Sequence, residues 1–289
     1  MTIAFDAILE IYRRLGATNE DATYLIDSGI SHTSVMDCAA LTQADDFWNK
    51  GTLLILTNAD SAGAVPANES RAISDFSAAD DRVTVAPAFS AAMAASDTFA
   101  ITTDEYPRHV ILRAINAALQ WYGDIPTNDS ATLDTAASTL EYSLPAAAVH
   151  DLRQVYVAAS TTAPLTFRRL PYWHVDRGNG KLVFHVQPPY VRDIRLVYMA
   201  PHATISTDSA TINPALYLPA LYEYTMAQCY LWKVQKVGYD DKKWIDFYNQ
   251  ALQLAEKYKS EHPIRSESKD VTLWYAESKN GGLTIADPS

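Results

Sequence analysis

The residues best suited to chemistry in this 289-residue sequence are two histidines, His174 and His185. Imidazole nitrogens hold zinc and related dications, and structural metal sites gather three or four such ligands at short spacings. The segment around this pair reads as a β-hairpin that turns both rings toward its polar face, near Tyr172 and Asp176. No H-x-H, H-E-x-x-H or C-x-x-C spacing supplies a third ligand. Exposed strand histidines are therefore the reading adopted, and no metal is expected. Gly178-Asn179-Gly180 lies in the same hairpin instead of opening a helix, so it is turn chemistry and not a phosphate loop. No G-x-S-x-G elbow occurs, and no cysteine can be matched with a base. The acidic pairs Asp45-Asp46, Asp80-Asp81 and Asp240-Asp241 fall in loops or at helix starts, where capping and solvation explain them. Neither a catalytic residue nor a cofactor site emerges, and the chain reads as a non-enzyme.

Composition narrows the classes further. Hydrophobic residues make up 48% of the chain, enough for a folded core. The formal net charge of −11 argues against a protein that grips nucleic acid through its phosphates or docks on an anionic membrane. Cys38 and Cys229 are far apart and belong to no spaced motif, so a disulfide framework is not expected and synthesis in a reducing cytosol fits. No apolar run approaches membrane-spanning length, and the first residues lack the order of a secretory signal. Many of the 17 tyrosines fall on helical stripes, where core or interface packing is the default role. A carbohydrate platform built on Trp48, Trp173 and exposed tyrosines is the alternative from another class.

The elements that must position these residues centre on 216–262, which reads as two consecutive amphipathic helices. In the first, Leu218, Tyr222, Thr225, Cys229 and Trp232 recur at steps of four and three. In the second, Trp244, Phe247, Ala251, Leu254 and Tyr258 do so, widened by Tyr248 and Ala255. Gly238-Tyr239-Asp240-Asp241 between them supplies a stop, a turn and an acidic start, so the two should fold back on each other. Further helices are expected over 2–15, ended by Gly16, and over 106–122, with Pro107 in the first turn and Gly123 past the end. Between the helices the sequence turns to strands. Those at 22–27, 52–57, 69–76, 81–86 and 97–102 suggest a small barrel or sandwich plugged by Trp48 and Phe89. A second β segment spans 138–200.

The expected fold is thus α+β: a four-helix bundle core, two inserted antiparallel β modules and an extended C-terminal arm. Its parts are helices 1–18 and 104–124, inserts 19–103 and 138–200, a helical hairpin 214–262 and the arm 263–289. Tyr222, Cys229, Trp232, Trp244, Phe247 and Leu254 are the expected bundle contacts. One hairpin can be placed in register, with Asp176 facing Lys181, Val175 facing Leu182 and Trp173 facing Phe184. Its apolar residues then share one face, and Asp176 and Lys181 pair on the other. In the arm, Val271, Leu273 and Tyr275 alternate with Thr272, Trp274 and Ala276, too far from a turn to pair locally. Val271, Leu273, Trp274 and Tyr275 are the expected interaction residues, packing on their own subunit or adding a strand to a neighbour.

Three stretches resemble proteins of tailed-bacteriophage virions, specifically the head-to-tail adaptor (head-completion, neck) class. They are DDFWNKGTLLILTNADSAG with RAISDFSAADDRVTVAPAF, then WHVDRGNGKLVFHVQPPYVRDIRLVYMA, then LYLPALYEYTMAQCYLWKVQKVG with WIDFYNQALQLAEKY. The resemblance implies a structural protein without catalytic residues, made in the host cytoplasm and built into the virion neck. It implies a ring, usually of twelve copies, around the DNA channel. The implied partners are the portal protein, neighbouring copies of the chain and a tail-completion or tail tube protein, with DNA only as passing cargo and no membrane. A tail or baseplate structural protein is the alternative within virions.

Overall fold

The computed structural model describes residues 2–20, 26–27, 33–57, 67–95, 97–136, 138–161, 165–189, 191–238 and 241–265, with the backbone of 274–277 and 283–286. The chain forms two compact units, one from residues 1–122 and 203–263, the other from 123–202 and 264–289.

The first unit holds all four described α-helices and one six-stranded sheet. Helix α1 (Ala4–Leu15) ends at Gly16, whose φ of 63° lets the chain turn back so that the amides of Gly16 and Ala17 close on Arg13 and Tyr12. Strands β1 (Thr18–Asn19), β2 (Val35–Asp37), β3 (Thr52–Thr57), β4 (Ser70–Ser77), β5 (Arg82–Ala86) and β6 (Thr98–Thr102) follow. They pair antiparallel in the order β1-β6-β3-β4-β5-β2. The strands expected at 52–57, 69–76, 81–86 and 97–102 form, while the one expected at 22–27 falls mostly outside the described residues. Alternation puts Leu53, Ile55, Ile73, Phe76, Val83, Val85, Phe99 and Ile101 into one core, joined by Trp48 and Phe89.

Strands β3 and β6 are buried on their other face as well, where Leu54 and Ala100 have no exposed surface. Helix α1 reaches this layer through Tyr12, whose hydroxyl lies 2.8 Å from Thr52 Oγ1 and donates to the Tyr106 carbonyl at 3.0 Å. Burial pushes the Tyr12 phenol well above its ordinary range. Gly51, just before β3, allows a close backbone approach: a Cβ there would lie 1.8 Å from the Thr102 carbonyl oxygen. Helices α2 (Arg108–Tyr122), α3 (Leu218–Val237) and α4 (Lys242–Glu261) complete the unit.

A four-helix bundle core is not what these helices form, and that expectation is corrected here. The described strands outnumber the helices, in sheets of six, four, three and two. Large buried side chains of the first unit come from both layers: Phe76 and Phe99 from the sheet, Phe5 and Tyr12 from α1, with Trp48 in the turn before β3. Helix α3 is the hub, packed against α4, α2 and, less extensively, α1. Helix α4 buries only Ala251 and Ala255 along its length. The physical reason lies in β3 and β6: two-sided burial makes the sheet a partner for helical stripes, so the helices need not close on one another.

The second unit has a four-stranded sheet, β10-β9-β13-β7, and a three-stranded sheet, β11-β12-β8. These are β7 (Asp124–Asp134), β8 (Glu141–Ser143), β9 (Leu152–Ala158), β10 (Phe167–Arg169), β11 (Trp173–Asp176), β12 (Lys181–Phe184) and β13 (Asp193–Pro201). One core joins the two sheets, with Tyr142, Leu152, Val155, Trp173, Leu182, Phe184, Ile194 and Leu196 in it. The β11–β12 register pairs Trp173 with Phe184, Val175 with Leu182 and Asp176 with Lys181, as the sequence pattern predicts. The ion pair expected there is replaced. Lys181 bonds Glu141 of β8 at 2.7 Å, while Asp176 accepts the Gly178 and Asn179 amides and so fixes the turn.

The C-terminal segment also differs from an extended arm. Its backbone forms a hairpin, β14 (Trp274–Glu277) against β15 (Leu283–Ala286), with Glu277 opposite Leu283.

Candidate interaction site

Helices α3 and α4 carry the densest aromatic and cationic cluster of the first unit. Their hairpin follows from local chemistry: Gly238 takes a φ of 106°, and the Asp241 carboxylate caps α4 by accepting the Lys243 amide at 3.1 Å. Contacts then run antiparallel. Tyr217 stacks on His262 at 3.8 Å and lies 6.1 Å from Tyr258, while Tyr230 lies 5.5 Å from Phe247 and 6.0 Å from Trp244.

Two polar clasps hold α4 in place. At one end Lys233, only 9% exposed, pairs with Glu105 at 3.2 Å and sits 4.7 Å from the Tyr106 ring centre and 5.8 Å from those of Trp232 and Trp244. A buried ammonium is tolerated only where a carboxylate and aromatic faces replace its water. At the other end Trp121 of α2 stacks on Tyr224 at 4.4 Å and donates its indole N–H to Glu256 at 3.0 Å. Lys259 completes this clasp by donating to the Trp121 carbonyl at 2.7 Å and covering its ring at 4.2 Å.

The expected bundle residues separate into three environments. Cys229 is fully buried, and burial pushes its thiol up to about 12. Tyr222, Trp232 and Trp244 are half-buried, with Arg14 over the Tyr222 ring at 5.1 Å and Lys236 over Trp232 at 5.0 Å. Phe247 and Leu254 are 37% and 38% exposed, flanking the Ala251–Ala255 seam on the same stripe. Periodicity placed all of these on stripes. It also placed Trp121 on the stripe of its helix, but did not single out Lys233, Glu105, Glu256 or Lys259, whose partners lie on other elements.

The model of the SU10 adaptor protein family matches residues 71–267, from β4 through the end of α4. The chain belongs to the SU10 adaptor protein family. That membership agrees with the head-to-tail adaptor resemblance and makes the protein a phage structural component. No curated protein matches the sequence.

The first unit of this adaptor also has a cleft of roughly 920 Å³ built around Asp208. The Asp208 carboxylate accepts the Ser70 amide at 2.7 Å, the Ser70 hydroxyl at 2.9 Å and Arg108 Nη2 at 2.7 Å, and lies 3.4 Å from Arg71. Its backbone accepts the Phe5 amide at 2.9 Å. One residue of the linker before α3 thus joins α1, α2 and β4. Sequence reading passed over it, because its partners come from positions 100 and 138 residues away.

The remaining expected residues are placed as follows. Val271 and Leu273 lie outside the described residues, and Trp274 and Tyr275 contribute backbone to β14. Trp48 and Trp173 are 1% and 4% exposed, so neither offers a sugar platform. His174 and His185 do share the polar face of their hairpin, with His174 Nδ1 3.1 Å from His185 Nε2. Desolvation and the neighbouring His174 lower the His185 pKa. Among the described residues no group of three metal-ligating side chains occurs, and no helix is long and apolar enough to cross a membrane.

Proposed function

We propose that this adaptor forms a ring beneath the portal, joins capsid to tail in the virion neck and lets DNA pass through during genome ejection. Its partners are then the portal protein, neighbouring copies in a twelve-membered ring and a tail-completion or tail tube protein. The observation that carries the reading is α4: a twenty-residue helix of an adaptor-family chain that buries two alanines and leaves Phe247 and Leu254 more than a third exposed. A helix with this much apolar surface left open gains burial when a second copy covers it, at roughly 25 cal/mol per Å² of apolar surface. The net charge of −11 supports passage of DNA without phosphate-gripping contacts. The C-terminal segment beyond Pro263 serves as the contact to the portal or to a neighbouring copy.

Mass measurement of the full chain, alone and mixed with portal protein, tests this reading. Rings or portal-bound complexes are expected, lost in a Phe247→Ser/Leu254→Ser variant that keeps its helical content and lost on truncation after Pro263. A chain that stays monomeric with portal but binds a tail tube protein refutes the neck assignment in favour of a tail component. Unchanged assembly by the α4 variant refutes the role given to that helix.

A further inference from the structure

The second unit contains a pair of groups that the adaptor reading leaves unused. His174 and His185 lie on adjacent antiparallel strands, both on the face opposite Trp173, Leu182 and Phe184. The ladder continues one residue beyond the strand ends, with the His185 amide donating to the Tyr172 carbonyl at 2.9 Å. His185 therefore stands across from Tyr172, and His174 across from Val183, which makes the histidines diagonal neighbours on one face. Their rings lie 21° from parallel with centres 4.9 Å apart, and the facing nitrogens are 3.1 Å apart.

We propose that His174 and His185 chelate one first-row transition-metal dication of the Zn²⁺, Ni²⁺ or Cu²⁺ type, through His174 Nδ1 and His185 Nε2. Imidazole nitrogens bind such ions at about 2.0–2.1 Å, so two nitrogens on one ion stand about 2.9 Å apart at a right angle and about 3.3 Å apart at a tetrahedral one. The two nitrogens, 3.1 Å apart in the stacked pair, lie within reach of one such ion once the rings turn. The ion replaces the hydrogen bond now joining the rings, and each ring turns about its Cβ–Cγ bond to aim its lone pair at the shared centre.

The backbone beneath is held before any ion arrives. Trp173, Leu182 and Phe184 are buried to within 4% of full burial, and the Asp176 cap fixes the turn that sets the register. Two ligands held at the right separation bind as a chelate, whereas two independent imidazoles pay the cost of assembly each time. Water fills the remaining coordination positions, which leaves the ion accessible: His185 is exposed and His174 half-buried. The ion chemistry is that of nitrogen ligands, which favours Cu²⁺ and Ni²⁺ over Mg²⁺ or Ca²⁺.

The test uses the full chain carrying no added histidine tag, titrated with Ni²⁺ and with Zn²⁺ by calorimetry, and with Cu²⁺ followed by electron paramagnetic resonance. One equivalent per chain is expected, with two coordinated nitrogens in the Cu²⁺ spectrum and no response to Mg²⁺. His174→Ala and His185→Ala should each weaken Ni²⁺ binding at least about tenfold, the loss of a chelate partner. His202→Ala and His262→Ala should leave it unchanged. The pair is on the surface, so circular dichroism of the variants should match the parent. Equal affinity in parent and His185→Ala protein overturns the proposal, as does a Cu²⁺ spectrum with a single nitrogen.

Discussion

Replacing Asp208 by alanine tests how the first unit is held together. The side chain is 5% exposed and accepts from the Ser70 amide, the Ser70 hydroxyl and Arg108, with Arg71 at 3.4 Å. Alanine leaves the Ser70 amide without its acceptor and Arg108 without its carboxylate. Breaking a buried ion pair from one side costs about 3–5 kcal/mol. Two features favour the lower end. Arg71 keeps Glu69 at 2.8 Å, and the cleft admits water to both guanidinium groups, which are 18% and 21% exposed. A loss of about 3 kcal/mol is therefore expected, corresponding to about 6–12 °C in Tm for a unit of this size. Asparagine keeps an acceptor but not the charge and should lose about half as much. Urea unfolding followed by tryptophan fluorescence reads the loss. Trp48, Trp121, Trp232 and Trp244 report the first unit, and a Trp173→Phe/Trp274→Phe background removes the tryptophans of the second. Amide exchange gives a local check, because Ala4 and Phe5 donate to the carbonyls of Ala210 and Asp208 and should lose protection. Stability within about 1 kcal/mol of the parent, with those two amides still protected, would refute the keystone role assigned to this carboxylate.

Two further outcomes follow from burial. Gly51→Ala would drive a Cβ to 1.8 Å from the Thr102 carbonyl, so β3 and β6 must separate, and a loss beyond the usual ~1–3 kcal/mol of overpacking is expected in the same urea assay; an unchanged midpoint would contradict the close approach. The Cys229 thiol, pushed from 9.0 to about 12, stays protonated in the folded chain while the unfolded chain ionises. Its contribution is complete below the unfolded pKa and is lost as pH rises from 9 toward 12, at up to about 1.4 kcal/mol per pH unit. The fall in stability from pH 8 to 10.5 should be shallower in Cys229→Ala, and a thiol reagent at pH 8 should modify native Cys229 far more slowly than the urea-unfolded chain. Equal modification rates would show the thiol to be accessible.

Local chemistry determined much of this protein. Apolar periodicity and stop signals located the four helices, and alternation with turn residues located β3 to β6 and the β11–β12 register. These features depend on neighbours within a few residues, where hydrogen-bond geometry and side-chain direction leave few choices. The long β7 strand carried no such signal: Asp124–Asp134 is mostly polar and half or fully exposed, and its pairing with β13 creates it. Only tertiary structure decided what the helical stripes face. Tyr12 meets Thr52 of a sheet buried on both sides, Lys233 is clasped by Glu105 and three aromatic rings, and Asp208 collects Ser70 and Arg108 from distant segments. A stripe records that a face needs cover and not which surface provides it, because burial is non-directional. Partner choice therefore rests on shape and on polar groups paired across the chain, and those meet only once the chain is folded.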